Sequence, residues 1–311
     1  MLTAWGEIPV EDAHIHFFSH RFFSLLAAQK PGLALDEIRE QLGWDMPPED
    51  PAALARRWVS ELDRHGVDRA ALIASLPGDE ASVAAAMQAF PGRFFGYFFL
   101  NPTAAEAPRR VEAALDAGLK GICLFPAMHA YSLHDERLRP ILELAAARGA
   151  VVFVHCGVLT VGIRKKLGLA SPFDLRFANP IDLHGVALRH PGVPFVIPHF
   201  GAGYFREALM LCDLCPNVHL DTSSSNGWMR YQPARIDLRT VFEKALEVAG
   251  AERLVFGTDS SFFPRGWHKP VFETQAKLLA VIGINEGQAR LIFAGNLERL
   301  FGAGPGAVRE S

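Results

Sequence analysis

Eight short apolar segments, each followed by a stretch with helical periodicity, constrain the fold of this 311-residue chain more than any other feature. Near-continuous apolar strands are typical of parallel sheets, in which both faces are buried. Strand–helix alternation repeated eight times predicts an α/β fold, and specifically a (β/α)8 TIM barrel. The predicted strands are residues 9–18, 70–76, 94–100, 121–125, 150–155, 194–199, 217–221 and 253–259.

The segments between the strands carry apolar residues at helical spacing. In residues 138–149 the apolar positions recur at the i, i+3, i+4, i+7 spacing of one helix face. Pro140 suits the first turn of that helix, and Gly149 suits its end. Similar helices are predicted over residues 51–65, 79–90, 104–117, 203–214 and 239–249.

Two predicted connections are much longer than the others. Residues 19–69 separate the first two strands, and residues 156–176 follow the fifth. In a barrel both would lie over the carboxyl ends of the strands, so both are lid candidates, and we interpret 19–69 as an insertion. One domain is predicted over residues 1–302, with a loose carboxyl-terminal tail over 303–311.

Composition and net charge limit the classes of molecule that this protein can be expected to bind. The net charge is −3 and there is no basic run, so a nucleic-acid partner is not expected. No stretch approaches 18 uninterrupted apolar residues, so neither a membrane span nor a membrane partner is expected. The first residues lack the pattern of a secretion signal. The four cysteines are too few for a disulfide scaffold, which favours a cytoplasmic location. A small-molecule substrate is expected, with a homo-oligomer as an open alternative to a monomer.

Polar residues stand at the carboxyl ends of several predicted strands. His14 and His16, in the sequence DAHIH, point to the same side because strand side chains alternate with period two. His155, His199 and Asp259 end the fifth, sixth and eighth strands. An unpaired polar group at such a place costs roughly 2–7 kcal/mol to bury. Four imidazoles and one carboxylate at one rim therefore predict one shared divalent metal ion, zinc in the first place and manganese in the second.

Four short motifs that contain these residues together resemble the amidohydrolase superfamily. Within it, the chain is most similar to the amidohydrolase-related family that includes aminocarboxymuconate semialdehyde decarboxylase and dicarboxylate lactonases. The final segment, residues 292–302, also resembles the ending of that family. The motifs are DAHIH at 12–16, VHC at 154–156, PHFG at 198–201 and FGTDS at 256–260.

The resemblance implies a role for each strand-end residue. His199 would be the free histidine, which polarises the substrate or shuttles a proton. Some family members have a bridging lysine at the end of the fourth strand, where this chain has Cys123, so a site with one metal ion is expected. The metal ligands that the resemblance implies are His14, His16, His155 and Asp259.

These roles describe a hydrolase. A divalent cation lowers the pKa of bound water from 15.7 to about 7. Asp259 would take the proton, and His199 would stabilise the oxyanion that forms on a carbonyl carbon, which makes these two residues the catalytic pair. We therefore expect hydrolysis of an ester, lactone or amide bond in a small carboxylated substrate.

Three further residues are candidates for binding the substrate. Arg164 begins a short basic run after the fifth strand, and Arg265 follows the eighth strand. Either guanidinium can clamp a carboxylate through two hydrogen bonds, although a solvated loop is the ordinary interpretation of such a run. Trp228, after the seventh strand, is a candidate for the pocket wall or the lid.

Two other functions fit the same residues. A non-oxidative metal-dependent decarboxylase, acting on an aromatic or muconate-like acid, would use the same ligand set. The third hypothesis is a non-catalytic barrel with a structural metal ion. A closed structural zinc site uses four protein ligands, so a histidine beyond that number speaks against it.

Overall fold

The structure is a computed structural model and describes residues 1–159, 161–224 and 226–302. Eight strands form one parallel sheet in which each strand pairs with its neighbours in chain order. The predicted tail, residues 303–311, lies outside the described residues. The strands are β1 Glu11–His16, β2 Arg69–Ala74, β3 Phe94–Leu100, β4 Gly121–Leu124, β5 Val151–Val154, β6 Phe195–Ile197, β7 Val218–Asp221 and β8 Leu254–Val255.

Backbone contacts between the first and last strand regions close the sheet. Ile15 of β1 forms a parallel bridge with Ser260, a few residues beyond β8. The amide of Ala13 donates to the carbonyl of Phe256 at 2.8 Å, and that of His16 donates to Ser260 at 2.8 Å. The predicted (β/α)8 TIM barrel is thereby confirmed.

Helices follow the strands and cover the barrel, and all six helices predicted from periodicity are present. A small hairpin of Leu2–Thr3 and Gly6–Glu7 precedes the barrel. Within the described ranges no helix is both long and apolar enough to cross a membrane. The helices are α1 His20–Ala27, α2 Leu35–Leu42, α3 Pro51–His65, α4 Glu80–Ala89, α5 Ala107–Asp116, α6 Pro126–His129, α7 Arg139–Arg148, α8 Gly162–Lys166, α9 His184–Arg189, α10 Phe205–Leu214, α11 Leu238–Ala249, α12 Lys269–Ile282, α13 Glu286–Arg290 and α14 Asn296–Gly302.

The hydrophobic core has two main layers. The larger cluster lies between the sheet and the outer helices, and it includes Leu54 and Trp58 of α3. A second cluster fills the barrel with alternate strand residues, such as Tyr97 and Phe99 of β3, and is completed by α14. Alternation along the strands explains this division, since successive side chains point to opposite faces.

A third hydrophobic cluster lies apart from both layers, and we call it the cap cluster. It joins α1 and α2, from the insertion after β1, to α8, from the long connection after β5. The insertion predicted over 19–69 is thus divided, because α3 packs on the barrel whereas α1 and α2 pack on α8. The buried members of the cap cluster are Phe22, Phe23, Leu26, Leu33, Ile38, Leu42, Ile163, Leu167 and Leu169.

Candidate active site

A cavity of about 840 Å³ opens at the carboxyl ends of the strands. Its wall includes Phe18, Phe22 and Trp44, so the segment after β1 that carries α1 and α2 borders the cavity. Among the residues predicted for the site, those in the cavity wall are His14, His16, His155, Arg164, His199, Trp228 and Asp259. Arg265 is the one predicted site residue outside this wall.

Three side chains at the base of the cavity form a compact group. His14, His16 and Asp259 each offer a ligand atom, and these atoms lie within 4.8 Å of one another. The Oδ1 atom of Asp259 lies 3.3 Å from Nε2 of His16 and 3.8 Å from Nε2 of His14. Nδ1 of His16 is held by the hydroxyl of Ser75 at 2.7 Å, which leaves Nε2 for the group.

A buried carboxylate orients His14. Nδ1 of His14 lies 2.6 Å from Oδ2 of Asp221, which ends β7. Burial lowers the pKa of His14, but Asp221, Asp259 and Asp12 raise it more, so its pKa rises to about 9. Burial raises the pKa of Asp221, but its contact with His14 lowers it below its ordinary value. Three carboxylates therefore favour positive charge at this end of the barrel.

The backbone is strained where the site residues leave the strands. His199 and Phe200, in the 3-10 turn Pro198–Gly201, have φ values of 54° and 53°. Asp259 has a φ of 59°. Side chains other than glycine rarely adopt this left-handed conformation, which costs of order 1–3 kcal/mol and is often found at functional sites.

His199 lies beside the compact group. Its ring centroid is 5.2 Å from that of His14, and its Nδ1 atom is 2.9 Å from the hydroxyl of Ser223. Burial lowers the pKa of His199, although Asp259 and the backbone of Ser224 oppose the shift. The ring is therefore neutral near pH 7, as a hydrogen-bonding partner of a carbonyl oxygen should be.

His155 is close to His199 but outside the compact group. Its ring stacks on Phe125 at 5.3 Å and lies 5.6 Å from the ring of His199. Burial lowers its pKa well below the ordinary value, and the proximity of His199 and His14 adds to the effect. A neutral imidazole is the form that binds metals, but its place as a fourth ligand stays a prediction.

Cys123 belongs to the barrel interior. It is fully buried in the cluster that contains Tyr97 and Phe153. Burial raises the pKa of its thiol well above the ordinary value. The thiol therefore stays protonated in this environment, and a site with one metal ion stays a prediction.

Asp12 joins the two strand regions that carry the compact group. Its carboxylate accepts hydrogen bonds from the amides of His14 and Thr258, at 2.9 and 3.0 Å, and from Nε1 of Trp267 at 2.7 Å. The pairing of β1 with β2 shifts register between Asp12 and Ile15, so the ladder is irregular beside Asp12. Asp12 thus fixes the position of His14 relative to the segment after β8.

The predicted substrate-binding arginines already have protein partners. Arg164 donates from Nη1 to Oε1 of Gln29 at 2.5 Å and from Nε to the carbonyl of Ala170 at 2.9 Å. Arg265 donates to the carbonyl of Asp259 at 3.1 Å. Arg164 therefore links α8 to the segment after α1 at the cavity wall, whereas Arg265 supports the loop of Asp259. Trp228 is buried in the wall.

The residues at the cavity base fit a divalent metal ion. Two imidazole nitrogens and one carboxylate oxygen are a donor set that zinc binds readily. The Asp221–His14 contact matches a common feature of metal sites, in which the second nitrogen of a ligating histidine is held by a carboxylate. Sequence reasoning missed Asp221, although an aspartate ending a predicted strand was a signal available for it.

The fold and site together define a class: TIM-barrel proteins with a histidine–aspartate group at the carboxyl ends of the strands. Within that class, residues 12–303 match the model of the amidohydrolase family. The chain belongs to that family, and this membership supports an enzymatic function for it.

Solved structures resemble the whole barrel. 5-Carboxyvanillate decarboxylase LigW from Sphingomonas paucimobilis is 18% identical with a TM-score of 0.64, over 95% of this chain and 99% of that one. A putative 2-pyrone-4,6-dicarboxylic acid hydrolase from Pseudomonas putida is 19% identical with a TM-score of 0.61, over 95% and 98% of the two chains. At these identities the likeness shows the shared fold.

A curated relative matches only a part of the chain. Protein fluG of Emericella nidulans is 33% identical over 94 residues. The match spans 30% of this chain and 10% of fluG. It therefore adds no information on the function of the whole barrel.

Proposed function

We propose that the protein is a metal-dependent hydrolase that opens an ester, lactone or amide bond in a small carboxylated substrate. The observation that carries the proposal is the convergence of His14, His16 and Asp259 within 4.8 Å at the base of a cavity. His199 lines the same cavity, so it is within reach of a substrate bound there.

The metal would be held by His14, His16 and Asp259, with His155 as the proposed fourth ligand. Zinc is the first expectation because the set mixes imidazole with one carboxylate, and manganese is the second. When bound, a divalent cation supplies a Lewis acid for a carbonyl oxygen and makes water a nucleophile near neutral pH.

The remaining chemical roles would fall to two side chains, Asp259 and His199. Burial raises the pKa of Asp259, but His16, His14 and His199 lower it more, so the carboxylate is ionised at neutral pH. It can accept a hydrogen bond from water and take its proton. His199 would donate a hydrogen bond to the substrate oxygen on which negative charge develops.

The charges around the cavity support a carboxylated substrate. Arg164, Lys166 and Arg230 lie in its wall, whereas Asp259 is the only acidic residue of the wall in the described ranges. Sequence reasoning missed Arg230. Because Arg265 lies outside the wall, we propose that it acts through the loop of Asp259 and does not touch the substrate.

Decarboxylation is the alternative that the test must separate. LigW, which shares the fold, is a 5-carboxyvanillate decarboxylase, and the histidine–aspartate group suits both reactions. A non-catalytic barrel with a structural metal is the third possibility. The neutral His199 beside the compact group favours an enzyme over that possibility.

The test combines metal analysis with an assay of two compounds, 2-pyrone-4,6-dicarboxylate and 5-carboxyvanillate, within a wider panel of lactones, esters and aromatic acids. We expect bound zinc or manganese, and ring opening or ester cleavage with no release of carbon dioxide. Carbon dioxide release without consumption of water would establish the decarboxylase instead. Full activity in protein stripped of metal would overturn both metal-dependent reactions.

A matched variant tests the division of roles. His199→Ala should lower kcat at least roughly 100-fold, because it removes a hydrogen bond to the developing charge. The metal content should stay close to that of the native protein. Loss of the metal in this variant would make His199 a ligand and contradict the proposed assignment.

A further inference from the structure

The hydroxyl of Ser223 lies between two histidine rings of the site. Ser223 follows β7 and is completely buried. Its Oγ atom is 2.9 Å from Nδ1 of His199 and 3.1 Å from Nδ1 of His14. A serine hydroxyl has a single hydrogen to donate, so the question is which ring receives it.

The nearby carboxylate answers this question. Nδ1 of His14 lies 2.6 Å from Oδ2 of Asp221, whereas the backbone amide of Ser223 donates to Oδ1 of Asp221 at 2.5 Å. An ionised carboxylate only accepts hydrogen bonds, so Nδ1 of His14 must carry a hydrogen and donate it to Asp221. A nitrogen that carries a hydrogen cannot accept one from Ser223. Nδ1 of His199 is the remaining partner of Oγ within hydrogen-bond distance among the described residues, so it is the atom that can accept the hydrogen of the hydroxyl.

We propose that Ser223 is a positioning residue that donates to Nδ1 of His199 and thereby keeps the hydrogen of that ring on Nε2. The hydrogen bond at one nitrogen of an imidazole decides which nitrogen carries the hydrogen. This inference rests on the proposed function for its consequence: His199 meets the substrate as a hydrogen-bond donor. Acceptance of the proton from water is then left to Asp259.

The same contacts explain why β7 contributes to the site without touching the substrate. Asp221 fixes the ring of His14, and Ser223, two residues later, fixes the ring of His199. Gly257 makes room for this arrangement, since a Cβ atom there would lie 2.9 Å from Cβ of His14 and 3.0 Å from Oδ1 of Asp221. Each ring is thus held at Nδ1 and leaves Nε2 for chemistry.

Long-range ¹H–¹⁵N NMR of the full chain, labelled in its histidines and loaded with zinc at pH 8, reads the hydrogen position directly. His199→Gln identifies the signals of His199 by their loss. In the native protein we expect Nε2 to carry the hydrogen and Nδ1 to show the shift of a hydrogen-bonded acceptor. In Ser223→Ala the Nδ1 signal should move toward the position of an unbonded imidazole nitrogen.

Ser224→Ala is the matched control, because it removes a hydroxyl one residue along the chain that donates to the carbonyl of Thr258 at 3.0 Å. It should leave the Nδ1 signal of His199 in place. A hydrogen on Nδ1 in the native protein, or an unmoved Nδ1 signal in Ser223→Ala, would overturn the proposal. The native measurement needs no folded variant. The readout is independent of turnover, so a failed hydrolysis assay with the expected spectrum would refute only the proposed function.

Discussion

Asp221 is a buried side chain that affects the active site through its contact with His14, without reaching the cavity. It is 1% exposed and lies in contact with His14, one of the three members of the compact group. Its negative charge raises the basicity of the His14 ring and fixes the orientation of that ring. Such outer partners of metal ligands are worth 10- to 100-fold in metal affinity when they are removed.

Asp221→Asn should therefore weaken zinc binding by roughly 10- to 100-fold, since the neutral amide keeps the shape of the carboxylate but loses its charge. Competition with a chelator of known affinity measures the effect. Asp213→Asn makes the same change at an exposed position of α10 and should leave the affinity unchanged. Equal affinity in the two variants would show that the Asp221–His14 contact plays no part in metal binding.

Sequence patterns predicted some residues of the active site and not others, and the difference has a physical reason. His155, His199 and Asp259 each stand at the end of an apolar strand, and His14 and His16 alternate on one side of the first strand, so the pattern predicts that all five lie at a common rim. The structure places all of them in the cavity wall, while their roles stay predictions. Ser223 is an ordinary residue by type, and its importance follows from two distances that no spacing rule contains. The same holds for the positive φ of His199 and Asp259.

At the scale of elements, the cap cluster connects two segments that are far apart in the chain. Nζ of Lys30, next to α1, donates to the carbonyl of Leu167, next to α8, at 3.1 Å. Arg164 of α8 bonds Gln29 from the other side. These contacts and a separate small core make the cap a candidate for local opening that leaves the barrel intact.

Ile38→Ala tests whether the cap is an independent unit. Ile38 of α2 is fully buried in the cap cluster, and truncation of a buried isoleucine costs roughly 2–5 kcal/mol. We expect faster amide hydrogen exchange in α1, α2 and α8 with little change in the global free energy of unfolding.

The comparison is Ile122→Ala in β4, which is equally buried but belongs to the main core. That variant should lower the global free energy of unfolding by a similar amount and speed exchange throughout the barrel. If Ile38→Ala lowers global stability as much as Ile122→Ala, the cap is not separate from the barrel.

Element boundaries were more predictable than the cap. The strand predicted over 94–100 is β3 itself, and the helix predicted over 51–65 is α3, because their burial is set by periodicity within one segment. The cap cluster depends on contacts between α2 and α8, which more than a hundred residues separate. The sequence showed only that both connections were long.

On the scale of the whole molecule, the two ends of the barrel do different work. The cavity lies at the carboxyl ends of the strands, whereas α14 covers the other end. Phe301 of α14 packs against Phe95 and Tyr97 of β3, with ring centroids 4.8 and 5.1 Å apart. Residues at the covered end therefore affect stability and leave the cavity unchanged, as is general for this fold.

His219 provides a test of that separation through the acid stability of the whole molecule. It lies on β7 and pairs in register with Val196 of β6, a member of the interior cluster. Its Nδ1 atom is buried without a hydrogen-bond partner in the described part of the chain. Burial lowers its pKa to about 4, although the backbone of Phe195 and Asn217 opposes the shift, and Arg299 of α14 makes a smaller contribution in the same direction as burial.

The folded state therefore holds His219 neutral, whereas the unfolded chain protonates it with an ordinary pKa near 6.5. Its contribution to stability is complete above about pH 6.5 and is lost as the pH falls toward 4, where the loss reaches about 3 kcal/mol. His219→Leu should therefore lose less stability than the native protein between pH 7 and pH 4, measured by denaturant unfolding. His134→Leu, at an exposed position, should keep the native pH dependence. Zinc affinity at neutral pH should be unaffected in either variant, because both positions are away from the compact group. Identical stability curves for His219→Leu and the native protein would mean that the folded barrel admits the charged ring.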